Sequence, residues 1–209
     1  MRSLVGKAGL VVVGFAGAVL AGAALAQPGD AKDALPKQDQ QAMMEAWVKA
    51  MTPGAQHEKF KEMEGDWECT MRVWMEGPQG KPTEEKGSAN YKVILGGRYL
   101  QQTFSGSMMG MPFEGVGLTG FDNIRKQFVG TWADSMSTTI MRTVGGISPD
   151  GKTMTMFGEM DEPMTGEMGK VVKYVSREIS KDKHVFEAHE VMYGEPFKVF
   201  EIEYTRIKK

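Results

Sequence analysis

From Trp67 to the end of the chain, apolar and polar residues alternate with period two, and turn-forming residues interrupt the alternation about every ten positions. A strand with one face buried needs that pattern, because successive side chains point to opposite faces. In the first segment, residues 67–75, one side reads Trp67, Cys69, Met71, Val73, Met75 and the other Glu68, Thr70, Arg72, Trp74. Further segments fall at 85–95, 98–107, 113–122, 127–136, 138–145, 152–160, 170–179, 184–193 and 197–207. Their connections carry turn chemistry: residues 78–81, Gly96-Gly97, Asp122-Asn123, Pro149-Asp150-Gly151, residues 161–166 and Gly194-Glu195-Pro196. All are short, so neighbouring strands pair antiparallel in an up-and-down meander. About ten strands rarely stay as one open twisted sheet, and closure removes the exposed edges. The expected fold is mainly β: a single antiparallel up-and-down barrel of about ten strands with one or two N-terminal helices. A two-sheet sandwich is the competing architecture.

The ends of the meander suggest how it closes. Gly65-Asp66-Trp67 enters the first segment, and Tyr204-Thr205-Arg206 leaves the last. Phe200, Ile202, Tyr204 and Arg206 share one face of that last segment. A guanidinium on an apolar face has to be satisfied inside, and an indole face is a suitable partner. Trp67 and Arg206 are therefore the expected closure pair, with Trp67 plugging one end. The competing reading is a frayed surface arginine.

The N-terminus reads as an export leader. Arg2 and Lys7 precede an apolar run from Leu10 to Leu20, and Ala24-Leu25-Ala26 forms a small-x-small cleavage site before Gln27. The run is short and rich in Gly and Ala for a span of about 20 residues. No cysteine follows it, so no lipid anchor is expected. The expected organisation is a signal peptide over 1–26, a disordered linker over 27–38, a helical extension over 39–63 and a β-barrel domain over 64–209. In the extension, Met43, Met44, Trp47, Val48 and Met51 fall on one helical face, Pro53-Gly54 stops the helix, and residues 56–63 form a second short one. The mature protein is expected in a periplasm or outside the cell.

Removing Arg2 and Lys7 with the leader takes the net charge from −2 to −4. The charges are interspersed without a basic patch, so nucleic acid is not an expected partner. Stable membrane insertion is not expected once the leader is gone. Cys69 is the only cysteine, which rules out an internal disulfide, and its strand position suggests a buried thiol.

Several stretches resemble a family. They are Thr52-Pro53-Gly54-Ala55-Gln56-His57, Gly65-Asp66-Trp67, Ile94-Leu95-Gly96-Gly97-Arg98-Tyr99-Leu100, Met109-Gly110-Met111-Pro112-Phe113, Gly120-Phe121-Asp122-Asn123, Thr131-Trp132-Ala133-Asp134-Ser135-Met136 and Met164-Thr165-Gly166. From about Trp47 to Arg206 the chain resembles the bacterial domain-of-unknown-function family numbered fifteen seventy-nine. The resemblance implies a calycin barrel of the lipocalin and fatty-acid-binding type, and it implies no activity. More distantly, the helix followed by Gly-x-Trp is similar to the haem-binding nitrobindin barrels. No match to their haem-ligand region is present, so that likeness stays at the fold.

A barrel of eight to ten strands has room for one small ligand. Trp132, Asp134 and Met136 share a parity, as do Ile140, Arg142 and Val144, and as do Arg98, Leu100, Gln102 and Phe104. An inward charge needs a partner, either another side chain or a ligand carboxylate or hydroxyl. Arg98, Gln102, Trp132, Asp134 and Arg142 are the candidate ligand-binding residues, and Arg98 and Arg142 suit an inward carboxylate-binding role. The competing reading leaves them on the rim or surface.

Met108, Met109 and Met111 crowd one hairpin tip, where thioethers could hold Cu(I). With no His or Cys near them in sequence, gap-filling or an apolar lip is the simpler account, and no metal site is expected. His57 reads as a capping or packing residue and His184 as solvated in a turn, while His189 has no assigned direction. No histidine pair has ligand spacing, and no cofactor is expected. There is no Gly-x-Ser-x-Gly elbow, and Glu84-Glu85 and Asp161-Glu162 lie in turns, so no catalytic residue is named. The expected role is to bind a small, mostly apolar ligand inside the barrel. The alternative is a structural or partner-binding protein whose barrel is filled by side chains.

Overall fold

The period-two pattern of the sequence becomes ten strands in a computed structural model that describes residues 36–77, 79–163, 165–192 and 195–208. The expected leader, the linker as far as residue 35, and Met164 and Gly194 lie outside the described residues. The strands are β1 (Gly65–Val73), β2 (Thr83–Ile94), β3 (Tyr99–Met108), β4 (Met111–Asp122), β5 (Gln127–Asp134), β6 (Met141–Ile147), β7 (Thr153–Glu162), β8 (Glu167–Ser180), β9 (Lys183–Met192) and β10 (Glu195–Arg206). Before them come α1 (Lys37–Met51), α2 (Ala55–Glu58) and α3 (Phe60–Met63). The expected linker therefore gives way to helix at Lys37. The expected second helix is two short turns separated by Lys59.

Each strand pairs antiparallel with its sequence neighbours, and β1 also pairs with β10, giving a closed ten-strand barrel. The sandwich alternative is thereby excluded. Cross-strand partners lie on the same face, so the register fixes the lumen. Trp67 faces Arg206, Cys69 faces Tyr204, Met71 faces Ile202 and Val73 faces Phe200. The buried core holds Trp67, Cys69, Met71, Ile202 and Tyr204 of this set, together with Phe60, Ala89, Tyr91, Leu100, Phe104, Phe113, Phe128, Met156, Val172, Tyr174 and Ala188.

Two units divide the chain between Glu45 and Ala46. No residue of α1 is buried. Its last turn, in the second unit, is held by hydrogen bonds: Arg98 Nη2 donates to Met51 O at 3.0 Å, and Asn123 Nδ2 donates to Ala50 O and Thr52 O. These bonds cap terminal carbonyls that the helix leaves unpaired.

Candidate functional site

The two ends of the barrel differ in chemistry. At one end β1 begins, β9 begins and β10 finishes, and this end is closed. The Arg206 guanidinium lies 4.1 Å from the centre of the Trp67 ring. It also donates to the carbonyls of Glu62, Glu64 and Lys181. The Trp67 indole N–H donates to Met63 O at 3.0 Å. Gly65 has φ +121°, and a Cβ there would stand 3.3 Å from Arg206 Nη1. That close approach explains the glycine of Gly65-Asp66-Trp67. His57 accepts the Gly54 N–H on Nδ1 and packs edge-on against Phe60 and Phe121.

The closed end carries a polar floor. The His184 ring stacks on Tyr204 at 4.2 Å and stands edge-on to Trp67. His184 Nε2 is 3.4 Å from Tyr91 Oη, and Gln102 Nε2 donates to Tyr204 Oη at 3.1 Å. Burial, aided by the Arg206 charge, pushes the His184 pKa down to about 3, so the ring is neutral. Burial raises the Tyr91 and Tyr204 phenols. His184 is thus not a solvated turn residue. β9 starts at Lys183, one residue before it, and alternation turns the ring inward with Phe186 and Ala188.

The other end is a mouth lined by thioethers and aromatics. Val73, Met108, Trp132, Met141, Met160, Phe186 and Phe200 pack on the core but are only partly buried. By register they face the lumen. Trp132 lies flat on the inner wall: a Cβ on Gly115 would come within 2.1 Å of its ring. The indole N–H donates to Asp134 Oδ2 at 3.0 Å. Tyr174, its phenol pushed up to about 12 by burial, donates to Met141 Sδ at 2.9 Å. One ion pair sits among these side chains, with Lys170 Nζ 3.0 Å from Glu190 Oε1 and side-chain exposures of 8 % and 15 %. The hydrogen bond to Glu190 holds the lysine above its ordinary pKa.

The five sequence candidates separate into two groups. Gln102, Trp132 and Asp134 carry the inward parity, Gln102 at the floor and the other two at the mouth. Arg98 and Arg142 are exposed and do not point into the lumen. Arg98 lies in the turn before β3, where it donates to Leu95 O and Met51 O. On β6 the inward residues are Met141, Thr143 and Gly145, which puts Arg142 on the outer wall. The sequence reading missed Lys170, Glu190 and His184 as interior residues. Their alternation with apolar neighbours was a usable signal only with the lumen face known.

Met108 faces inward, while Met109 and Met111 are exposed at the hairpin tip. His189 faces outward and pairs with Glu187 at 3.0 Å. Cys69 is buried, and desolvation pushes its thiol up to about 12. Among the described residues no group of three His, Cys, Asp or Glu is placed to hold a metal, and no helix is long and apolar enough to cross a membrane. A groove of about 790 Å³ runs over the outer wall past Ser88, Asn90, Thr103, Ser105, Val116 and Ala133.

The sequence profile of the family described as protein of unknown function (DUF1579) matches residues 52–206. The chain belongs to that family. No curated protein matches it in sequence. Among solved structures it is similar to Rv2717c from M. tuberculosis, with a TM-score of 0.54, 13 % identity, and coverage of 75 % of this chain and 100 % of that one. It is also similar to the S-type phycobiliprotein lyase CPES from Guillardia theta, with a TM-score of 0.51, 9 % identity, and coverage of 78 % and 97 %. At these identities the likeness is one of fold. The quoted stretches from Thr52 onward, the closure glycine and Trp132-Ala133-Asp134 among them, lie within the matched residues.

Proposed function

We propose that the barrel takes up one small, mostly apolar molecule through its open end, in a protein exported from the cytoplasm. The observation that carries this reading is the apolar surface left uncovered at the mouth. There Met108, Trp132, Met141, Met160 and Phe200 face the lumen and are only half-buried. Such surface gains from an apolar occupant at about 25 cal/mol per Å². Unbranched methionines adapt to varied ligand shapes. The Lys170–Glu190 pair offers a charged contact for a ligand's polar end. Export rests on the leader pattern of residues 1–26.

Titration with a fluorescent polyene fatty acid tests the reading. A saturable 1:1 rise in probe emission, reversed by an unlabelled fatty acid, is expected, and it should weaken in Met160→Asp. No saturable change would contradict the reading. Cell fractionation tests export, with the mature protein expected outside the cytoplasm.

One observation favours the alternative of a side-chain-filled barrel: the inward residues Trp67, Met71, Phe104, Phe128, Met156 and Tyr174 pack into one buried cluster. In that case the probe stays unbound, and mutations at the mouth change only stability.

A further inference from the structure

Methionine is distributed unevenly between the two ends of the barrel. At the mouth, Met75 lies in the connection from β1 to β2, Met109 and Met111 at the tip between β3 and β4, Met136 in the connection from β5 to β6, and Met168 at the start of β8. All five are exposed, by 39–80 %. The connections at the closed end, residues 95–98, 123–126, 148–152 and 181–182, contain no methionine. Their exposed large apolar side chains are Leu95 and Ile124. Met71 and Met156, inside the lumen, are buried.

Two ordinary uses of methionine do not account for this ring. Gap-filling concerns interiors, and these five thioethers meet water. An apolar lip needs only hydrocarbon, which the closed-end tips supply with leucine and isoleucine. What a thioether adds to an apolar surface is a nucleophilic sulfur. A peroxide reacts with it by oxygen transfer: the sulfur lone pair attacks one peroxide oxygen, an S–O bond forms as the O–O bond breaks, the sulfur is oxidised, and the peroxide is reduced to water or an alcohol. The product is a polar, chiral sulfoxide. The reaction needs access to the sulfur and no neighbouring group, and access is what the five positions share.

We propose that Met75, Met109, Met111, Met136 and Met168 form an oxidation site at the mouth, taking oxygen from a peroxide, and that their sulfoxides shut the lumen to apolar molecules. The second half rests on the uptake reading above. Each sulfoxide replaces apolar lip with a hydrated dipole, so an entering ligand loses favourable contact and has to strip water from the S=O groups.

Limited treatment of the folded protein with hydrogen peroxide, followed by peptide mass mapping and titration with a fluorescent polyene fatty acid, tests both halves. The five rim methionines should each gain an oxygen while Met71 and Met156 stay unmodified. The oxidised protein should bind the probe about tenfold more weakly, and methionine sulfoxide reductases of both stereospecificities should restore binding. Met43, Met44 and Met51 of α1 are also exposed and should oxidise alongside. With those three changed to leucine the loss should persist, and with the five rim positions changed to leucine it should vanish. Far-UV dichroism checks folding, and if the rim variant does not fold, reductase reversal in the native chain carries the test. Oxidation of Met71 and Met156 as fast as the rim overturns the site. Probe binding that survives rim oxidation overturns the gate alone, whereas no binding before treatment overturns the uptake reading and the gate with it.

Discussion

The Arg206 guanidinium lies over the Trp67 indole, 4.1 Å from the ring centre, and joins the last strand of the barrel to the first. The same group donates to three backbone carbonyls, two of them in the segment that leads into β1. Removing it loses a cation–π contact and leaves those carbonyls without their donor. Arg206→Ala is expected to destabilise by about 2 kcal/mol or more, and Arg206→Lys by less. Urea unfolding measures both. An unchanged midpoint in Arg206→Ala contradicts the closure role.

Stability should fall on mild acidification because of His184. Its folded pKa is about 3, below the ordinary value of 6.5, so between those values the unfolded chain binds the extra proton. Stability is then complete above the unfolded pKa and declines as pH drops toward the folded one. From about pH 7.5 to 5.5 the expected loss is about 1.4 kcal/mol. Carboxylates titrate mostly below that window. The faces around the ring carry the Arg206 cation and the neutral Tyr91 and Tyr204 phenols, which do not change charge there. Urea midpoints at the two pH values should differ in the native protein and differ less in His184→Phe. Equal slopes in the two proteins would count against a buried neutral imidazole.

The sequence made the strands legible and left their faces ambiguous. All ten alternating segments are strands, with boundaries displaced by three residues or fewer. The exception to easy reading was direction. On β6 the inward side carries Met141, Thr143, Gly145 and Ile147, and the outward side Arg142, Val144 and Gly146. The sequence reading starts this segment three residues early, over 138–145, which sets Ile140 and Val144 against Thr143 and Gly145 and turns the apolar bias outward. Thr143 and Gly145 are small where rings and thioethers from neighbouring strands cover the lumen wall. Met156 packs close to Gly130, and Trp132 lies against Gly115 and Gly117. That bias made Arg142 a candidate for the inward face, with the rim or surface as the competing reading. Arg98 shares the inward parity of Leu100 but precedes the strand, where the turn lets it reach the end of α1. The floor was hidden for a related reason. His184 follows the turn residues by one position, and only the start of β9 at Lys183 decides that it enters the lumen.

The flat seat of Trp132 yields a coupling experiment. A methyl group on Gly115 overlaps the indole, so Gly115→Ala should cost about 1–3 kcal/mol. In a Trp132→Ala background the same change should cost far less, because the obstruction is gone. Additive losses in the double variant contradict the seat.

Cys69 should be inert in the folded protein. Its thiol is buried on β1 and held neutral by desolvation. A thiol-specific disulfide reagent at mildly alkaline pH should leave native protein unlabelled and label it fully in denaturing urea. Rapid labelling of the native form contradicts the interior placement.

The container reading itself is tested most directly by native mass spectrometry of the protein purified from its own cells. One small molecule per chain is expected, released on denaturation, extractable into organic solvent, and lost from a Met160→Asp variant. A bare polypeptide mass from those cells, unchanged after incubation with a panel of fatty acids and lipids, contradicts uptake through the mouth.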